Sequence, residues 1–427
     1  MDTRSRQVNK AIAMKKIFLT VFILLGLPAF AADPIQVNSN DWPWWRGPTR
    51  DGTAADQQVP TTWSETENIL WKVKVPGRGH ASPTVVGEQI FLATADKSAG
   101  TQGILAFNRS NGKSAWNQTV NTGGLPAKIH DKNTHASGTI ACDGKRVFGA
   151  FYNHEGIQVV ALTTEGKAVW SKRAGDFKPQ KYEFGYGASP ILYKDWVLVA
   201  ADYEKGGFLT ALDRTTGEAA WKIKRDEMIN YATPVIARID GSDQILLGGN
   251  EHVYAYDPAS GKELWQGPGP STATCATLVT DGNRIFTSGG YPQKFTLCIE
   301  DGKELWRNNQ KAYEQSLLVH AGHLYMLNDN GIAYCWSTAD GEEKWKERLG
   351  GPVSASPVRV GERIYQANEK GSTFVFKTDP SGFQLVAENK LGDESFATQS
   401  ICGNRIYTRV AYRTGGSRQE MLVCIGE

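Results

Sequence analysis

The chain has 427 residues, of which 40% are hydrophobic and 22% charged, with 45 glycines, 13 tryptophans and a formal charge of +2. Such a composition is globular, and a near-neutral charge gives no electrostatic case for nucleic acid or an anionic membrane as partner. The length exceeds one ordinary domain, so the sequence holds either several domains or a repeat.

Residues 1–31 read as an export signal. Lys15 and Lys16 form a basic start, Ile17 to Leu27 a short apolar core, and Ala29-Phe30-Ala31 a cleavage site, so the cut is predicted after Ala31. Met14 is an alternative start to Met1. The apolar run is shorter than the roughly 20 residues of a membrane span, and no transmembrane segment is predicted. Cleavage would remove Arg4, Arg6, Lys10, Lys15, Lys16 and Asp2, taking the formal charge from +2 to −2. The predicted location is periplasmic or secreted.

Residues 32–68 form a Trp-rich arm around Trp42-Pro43-Trp44-Trp45-Arg46-Gly47-Pro48. Aromatics and Arg dominate interface hot spots, which makes Trp44, Trp45 and Arg46 candidate partner-binding residues. The competing reading is a strap packed on the body, because three free Trp would leave an apolar patch.

From residue 69 to 427 one unit recurs: a short strand, a turn ending in Gly, and Trp four residues later. The pairs are Gly112–Trp116, Gly166–Trp170, Gly217–Trp221, Gly261–Trp265, Gly302–Trp306 and Gly341–Trp345, and a seventh turn, Gly382, has Val386 in the Trp place. Each Gly is expected in the left-handed position of a hairpin loop. Trp suits an outer strand, where it fills the gap between diverging blades. A second unit, x-Ala-Ser/Thr-Pro followed by a β-branched strand, precedes each hairpin. Eight copies share residues 71–427, about 45 residues each, the size of a four-stranded propeller blade.

Eight of the second units face only seven hairpins. The last blade therefore lacks an outer strand, and Ile69-Leu70-Trp71-Lys72-Val73 is a strand without a blade. The fold class predicted is an all-β, eight-bladed propeller of four-stranded antiparallel blades, with the N-terminal strand pairing beside Met421–Ile425 to hide an edge and close the ring. The six cysteines fall at blade positions such as the strand-C place of Ala211. Strands two spacings apart exceed disulfide reach, so all six are read as buried thiols.

The residues before each Ala-Ser/Thr form a predicted ring at the channel mouth: His80, His135, Gly187, Tyr231, Cys275, Glu314, Ser354 and Phe396. His80 and His135, in adjacent blades, are candidates for a metal or an anionic ligand, against hydrogen bonding to loop backbone. His130, Asp131 and Lys132 precede His135 and add polar groups. Tyr182, Phe184 and Tyr186, with Lys178 and Lys181, lie in what the sequence suggests is the longest connection between blades. They offer a stacking surface or a self-packed loop. No nucleophile–base, phosphate-loop or paired-carboxylate motif occurs, so no catalytic residue and no metal site are predicted.

The Ala-Leu-Asp…Thr-Gly-Glu…Trp pattern of Ala211 to Trp221 resembles the repeat of quinoprotein alcohol dehydrogenases and of BamB-type outer-membrane assembly factors. Trp42 to Pro48, Pro76 to His80 and Asn328 to Gly331 resemble segments of bacterial PQQ-like propeller-repeat proteins. The resemblance covers nearly all of residues 63–427. It is specific for fold and weak for function. Quinoproteins of this kind carry two adjacent cysteines beneath the quinone, and none are adjacent here, so PQQ is implied by resemblance but no cofactor is predicted. BamB-type lipoproteins are anchored through an N-terminal Cys, and none precedes Cys142, so that anchor is not expected. The sequence therefore favours a monomeric, non-catalytic envelope scaffold that binds a protein or other macromolecule. A PQQ- or metal-dependent oxidoreductase is the alternative, and a carbohydrate-binding module ranks third.

Overall fold

A computed structural model describes residues 34–427; the predicted export signal lies outside them. Alternating apolar residues and closely spaced Gly turns give short antiparallel strands, and no helix occurs among the described residues. The strands form eight four-stranded sheets, as the repeat count requires, and one short parallel pair, Ile229–Asn230 with Ala273–Thr274. Blade 1 runs from its inner strand outward as Thr84–Val86, Gln89–Asp96, Thr101–Asn108 and Ser114–Thr122. Blades 2 to 7 span 141–176, 191–225, 235–268, 279–308, 318–348 and 358–390. Blade 8 takes its inner three strands from Ser400–Cys402, Arg405–Thr414 and Ser417–Ile425, and its outer strand is Ile69–Val75. Trp71 lies opposite Cys424 and Val73 opposite Leu422. The chain thus closes its own ring without a covalent bond.

The Trp–Gly unit works between blades. Trp116 lies against Gly166 of the next blade, Trp170 against Gly217, Trp221 against Gly261 and Trp306 against Gly341. A Cβ on any of these glycines would stand within 2.7 Å of the indole. All four have φ between +71° and +84°, so both space and backbone conformation select Gly. The indole N–H groups of Trp116, Trp170 and Trp345 donate to Thr164, Arg214 and Asp379 carbonyls at 2.8, 3.1 and 2.8 Å, each on the next blade. Trp265 departs from this and donates to Gln244 of its own blade, 2.8 Å.

The seventh hairpin differs from expectation. Gly382 is not left-handed, and the loop is two residues longer than in blades 1, 3, 4 and 6, so Ala387 rather than Val386 faces Val375 in the Trp place. The arm supplies the missing indole. Trp63, 4% exposed, stacks on Tyr365 of blade 7 at 6.4 Å and 10°. In blades 1, 2, 5 and 6 the equivalent ring of the second strand meets that blade's own Trp at about the same distance.

No disulfide joins the six cysteines; five are fully buried and Cys275 is half-buried. Cys298, Cys335 and Cys424 face Trp306, Trp345 and Trp71. The reading of all six as buried is thus corrected at Cys275, whose place before an inner strand turns it toward the channel.

The inner strands are edges, and their first N–H groups need acceptors elsewhere. Six of the eight take a hydroxyl of the following blade. Ser82, Thr139 and Ser189 donate to Thr139, Ser189 and Thr233 at 3.1, 2.9 and 2.9 Å. Thr277, Ser316 and Ser356 donate to Ser316, Ser356 and Thr398 at 3.1, 2.9 and 2.8 Å. This chain corrects the register predicted in blade 2. Thr139, not Ser137, holds the Ser/Thr place, so the mouth residue there is Ser137 and not His135. The insertion sits in residues 123–140, which form a longer connection than the one carrying Tyr182.

Two variants test these contacts. Trp345→Ala should lower unfolding free energy by about 3–5 kcal/mol, measured by urea denaturation; a loss below 1 kcal/mol would show that the indole does not hold blades 6 and 7 together. Ser356→Ala leaves the buried Ser316 N–H without its acceptor and should cost about 1–3 kcal/mol in the same assay.

Candidate functional site

The inner-strand turns and the connections between blades lie at opposite ends of the channel, because successive strands are antiparallel. The arm closes the first end. Trp42 bridges to Val85 of blade 1, and Thr53 bridges to Arg359 of blade 7. Cys142 N–H donates to the Pro43 carbonyl at 2.8 Å. The Arg46 guanidinium, 1% exposed, donates to the carbonyls of Pro357 and Leu317 at 3.0 and 2.6 Å, and to that of Asp51. Burial pulls its pKa down to about 10, against the pull of Asp51. Arg50 lies 4.5 Å over the Trp44 ring and donates to the Leu192 carbonyl at 2.7 Å. Trp44 and Arg46 are therefore interior residues of a strap, with no surface left for a partner. Trp45 alone reaches the channel.

At the other end lies a cavity of about 420 Å³. Seven of the eight predicted mouth residues line it: His80, Gly187, Tyr231, Cys275, Glu314, Ser354 and Phe396. His135 does not. Its carbonyl accepts from Gln102 at 2.7 Å, and its ring lines a separate small pocket beside Tyr186. The two histidines are not brought together, and no cluster of three or more His, Cys, Asp or Glu suited to a metal occurs among the described residues. Tyr186 is also buried, its hydroxyl donating to the Ala200 carbonyl at 3.1 Å.

Three layers make up the cavity. Trp45 stands at the strap end, its indole N–H donating to the Thr277 hydroxyl at 2.9 Å. Above it lie ring hydroxyls of Thr139, Ser189, Thr233, Thr277 and Thr398. The upper walls are aromatic: Phe184, Tyr231, Tyr313 and Phe396. Phe396 stacks flat on His80 at 4.4 Å and 11°. Phe184, Tyr313 and Trp45 were not assigned to this cavity from the sequence; their loops and arm reach it only in the folded ring.

Charge in the cavity is sparse and internally matched. Lys132 pairs with Glu369 at 2.7 Å. Burial opposes its charge, but that bond and the nearby carboxylates of Glu314 and Asp329 win and raise its pKa. The Ser354 hydroxyl bridges Glu314 and Glu369. Burial raises the Tyr231 and Cys275 pKa values, with smaller contributions from neighbouring groups, so both stay neutral. The His80 pKa falls well below its ordinary 6.5 through burial and then the charges of Arg78, Arg409 and Arg418.

On the rim the aromatic surface continues outward. Tyr231 meets Phe184 at 6.0 Å, Phe184 meets Tyr182 at 5.8 Å, and Tyr182 meets Tyr291 at 6.5 Å. Tyr291 is 51% exposed.

The family described as "Outer membrane protein assembly factor BamB" matches residues 53–131, 100–347 and 296–382. The outer membrane protein assembly factor BamB of Burkholderia pseudomallei (strain K96243) is 23% identical over 366 residues, covering 75% of this chain and 92% of that protein. The 1-butanol dehydrogenase (quinone) of Thauera butanivorans is 25% identical over 316 residues, covering 66% of this chain and 46% of that protein. A solved europium-containing methanol dehydrogenase superposes with a TM-score of 0.67 at 11% identity, covering 91% of this chain and 98% of that one. At that identity the likeness shows the fold alone.

The state of His80 gives a pH prediction. Its folded pKa lies below 6.5, so as pH falls through 6.5 the unfolded chain takes up a proton that the folded chain refuses, and stability drops. Urea unfolding at pH 7.5 and pH 5 should show a smaller acid loss in His80→Gln than in the parent. An equal loss would mean that His80 is protonated in the folded chain.

Proposed function

The chain belongs to the family of the outer membrane protein assembly factor BamB, and from that premise we propose that it is an exported, non-catalytic scaffold of the bacterial envelope. It binds a protein partner through the end of the propeller that the strap leaves open. The observation that carries this reading is the line of rings from Tyr231 to exposed Tyr291. Rigid aromatic side chains on an accessible face supply large contact area at low entropy cost, as in binding hot spots. No helix among the described residues is long and apolar enough to cross a membrane. The export signal read in residues 1–31 supports placement in the periplasm or outside the cell.

A quinone enzyme is the competing reading, since the dehydrogenase from Thauera butanivorans is also similar. PQQ is a tricarboxylate, and the cavity lining does not fit it. Lys132 is the one Lys or Arg in that lining, it is already paired with Glu369, and Glu314 adds an opposing carboxylate. No adjacent cysteine pair exists in the sequence.

A photo-cross-linking amino acid at Tyr291 should give a discrete protein adduct in cells, whereas one at Glu88, on the strap side, should not. Adducts from position 88 alone, or from neither position, would overturn the assignment of the open end. In parallel, micromolar PQQ with Ca²⁺ should leave the melting temperature unchanged, and a rise of several degrees would favour the quinone reading.

A further inference from the structure

We propose that the central cavity is a binding site for a neutral saccharide. This inference shares Tyr231 and Phe184 with the protein-partner reading but rests on the hydroxyl layer beneath them, not on the rim or Tyr291.

The argument starts from proton counting on the hydroxyl layer. A Ser or Thr hydroxyl has one proton to donate and lone pairs to accept with. Thr139, Ser189, Thr233 and Thr398 accept a backbone N–H from the neighbouring blade, and Thr277 accepts the Trp45 indole N–H. Each therefore still has its own O–H to give. No acceptor for these five protons stands among the described residues, and all five groups line the cavity. An occupant must present oxygen acceptors toward this layer, or the hydroxyls are desolvated without compensation. A purely apolar occupant fails that test.

Charge narrows the class. An anion would meet Glu314 on the wall, and the one ammonium available, Lys132, is held by Glu369 at 2.7 Å. His80 adds no positive charge, since burial and the neighbouring arginines keep it neutral. A cation would face a layer of donors. The occupant is thus uncharged.

Shape supplies the third condition. Phe184, Tyr231, Tyr313 and Phe396 stand around the hydroxyl layer, and Phe396 is held rigid against His80 at 4.4 Å. Aromatic faces carry partial negative charge and accept C–H groups. A volume of about 420 Å³ falls within the roughly 300–1,000 Å³ of small-molecule sites. A pyranose ring combines C–H faces with several neutral oxygens, so it meets the walls and the hydroxyl layer together.

Purified chain would be titrated calorimetrically with maltotriose, cellobiose and N,N′-diacetylchitobiose, and with inorganic phosphate and N-acetylphenylalanine amide as contrasts. Saturable binding of at least one saccharide is expected, with a change in Trp45 fluorescence that Trp45→Phe removes. Tyr231→Ala and Phe396→Ala should each weaken it about tenfold or more, while Tyr231→Phe keeps it within about threefold. Should either Ala variant melt early, Phe396→Leu retains bulk without the ring and should show the same loss. Absence of saccharide binding to the parent chain, equal affinity in the ring-deleted variants, or binding of phosphate or the peptide probe alone would overturn the proposal. None of these results depends on whether cross-links form at Tyr291.

Discussion

The innermost strand of every blade is an edge, and its leading N–H group has no partner within its own sheet. In six of the eight blades the protein meets this constraint with a hydroxyl offered by the next blade around the ring. That requirement accounts for Ser or Thr at this place in the repeat and ties neighbouring blades at the channel. It also gives the channel its chemistry. Hydroxyls at this place in five blades, Thr139, Ser189, Thr233, Thr277 and Thr398, line the cavity, so it inherits polar groups from a structural device.

At the perimeter the same blades diverge, and the gap is filled by Trp under the Gly turn of the following blade. Close approach of the indole leaves no room for a Cβ, which is why Trp and Gly recur together. The two exceptions show what the contact is for. Trp265 bonds within its own blade. Blade 7 has only Ala387 at the place, and Trp63 of the arm occupies the vacated space. At the seam between blades 8 and 1 the hydroxyl pattern is replaced by other bonds. Arg409 donates to the Ala93 carbonyl at 2.8 Å, and Ser400 reaches the Pro83 carbonyl.

The arm makes the two ends of the propeller unequal. By laying Trp44 and Arg46 against the inner strands it seals one end, and it leaves Trp45 as the base of the cavity at the other. At the open end Tyr182, Phe184 and Tyr291 continue the aromatic wall outward. Both proposed roles of the open end follow from this asymmetry.

Blade number, strand order and closure were legible in the sequence, because they depend on local periodicity and on counting eight inner units against seven hairpins. Seven of the eight mouth residues were legible for the same reason. His135 was not, since a two-residue shift of the motif changes nothing in local pattern. The bonds from Ser82 N–H to the Thr139 hydroxyl and from Thr139 N–H to the Ser189 hydroxyl reveal the true register. Phe184, Tyr313 and Trp45 likewise carry no local mark of where they face. Hydrogen bonding along a repeat is encoded residue by residue, and the sequence by itself determined that part. Which side chains converge on the channel depends on loops and an arm that meet across the ring, and only the tertiary structure decided that.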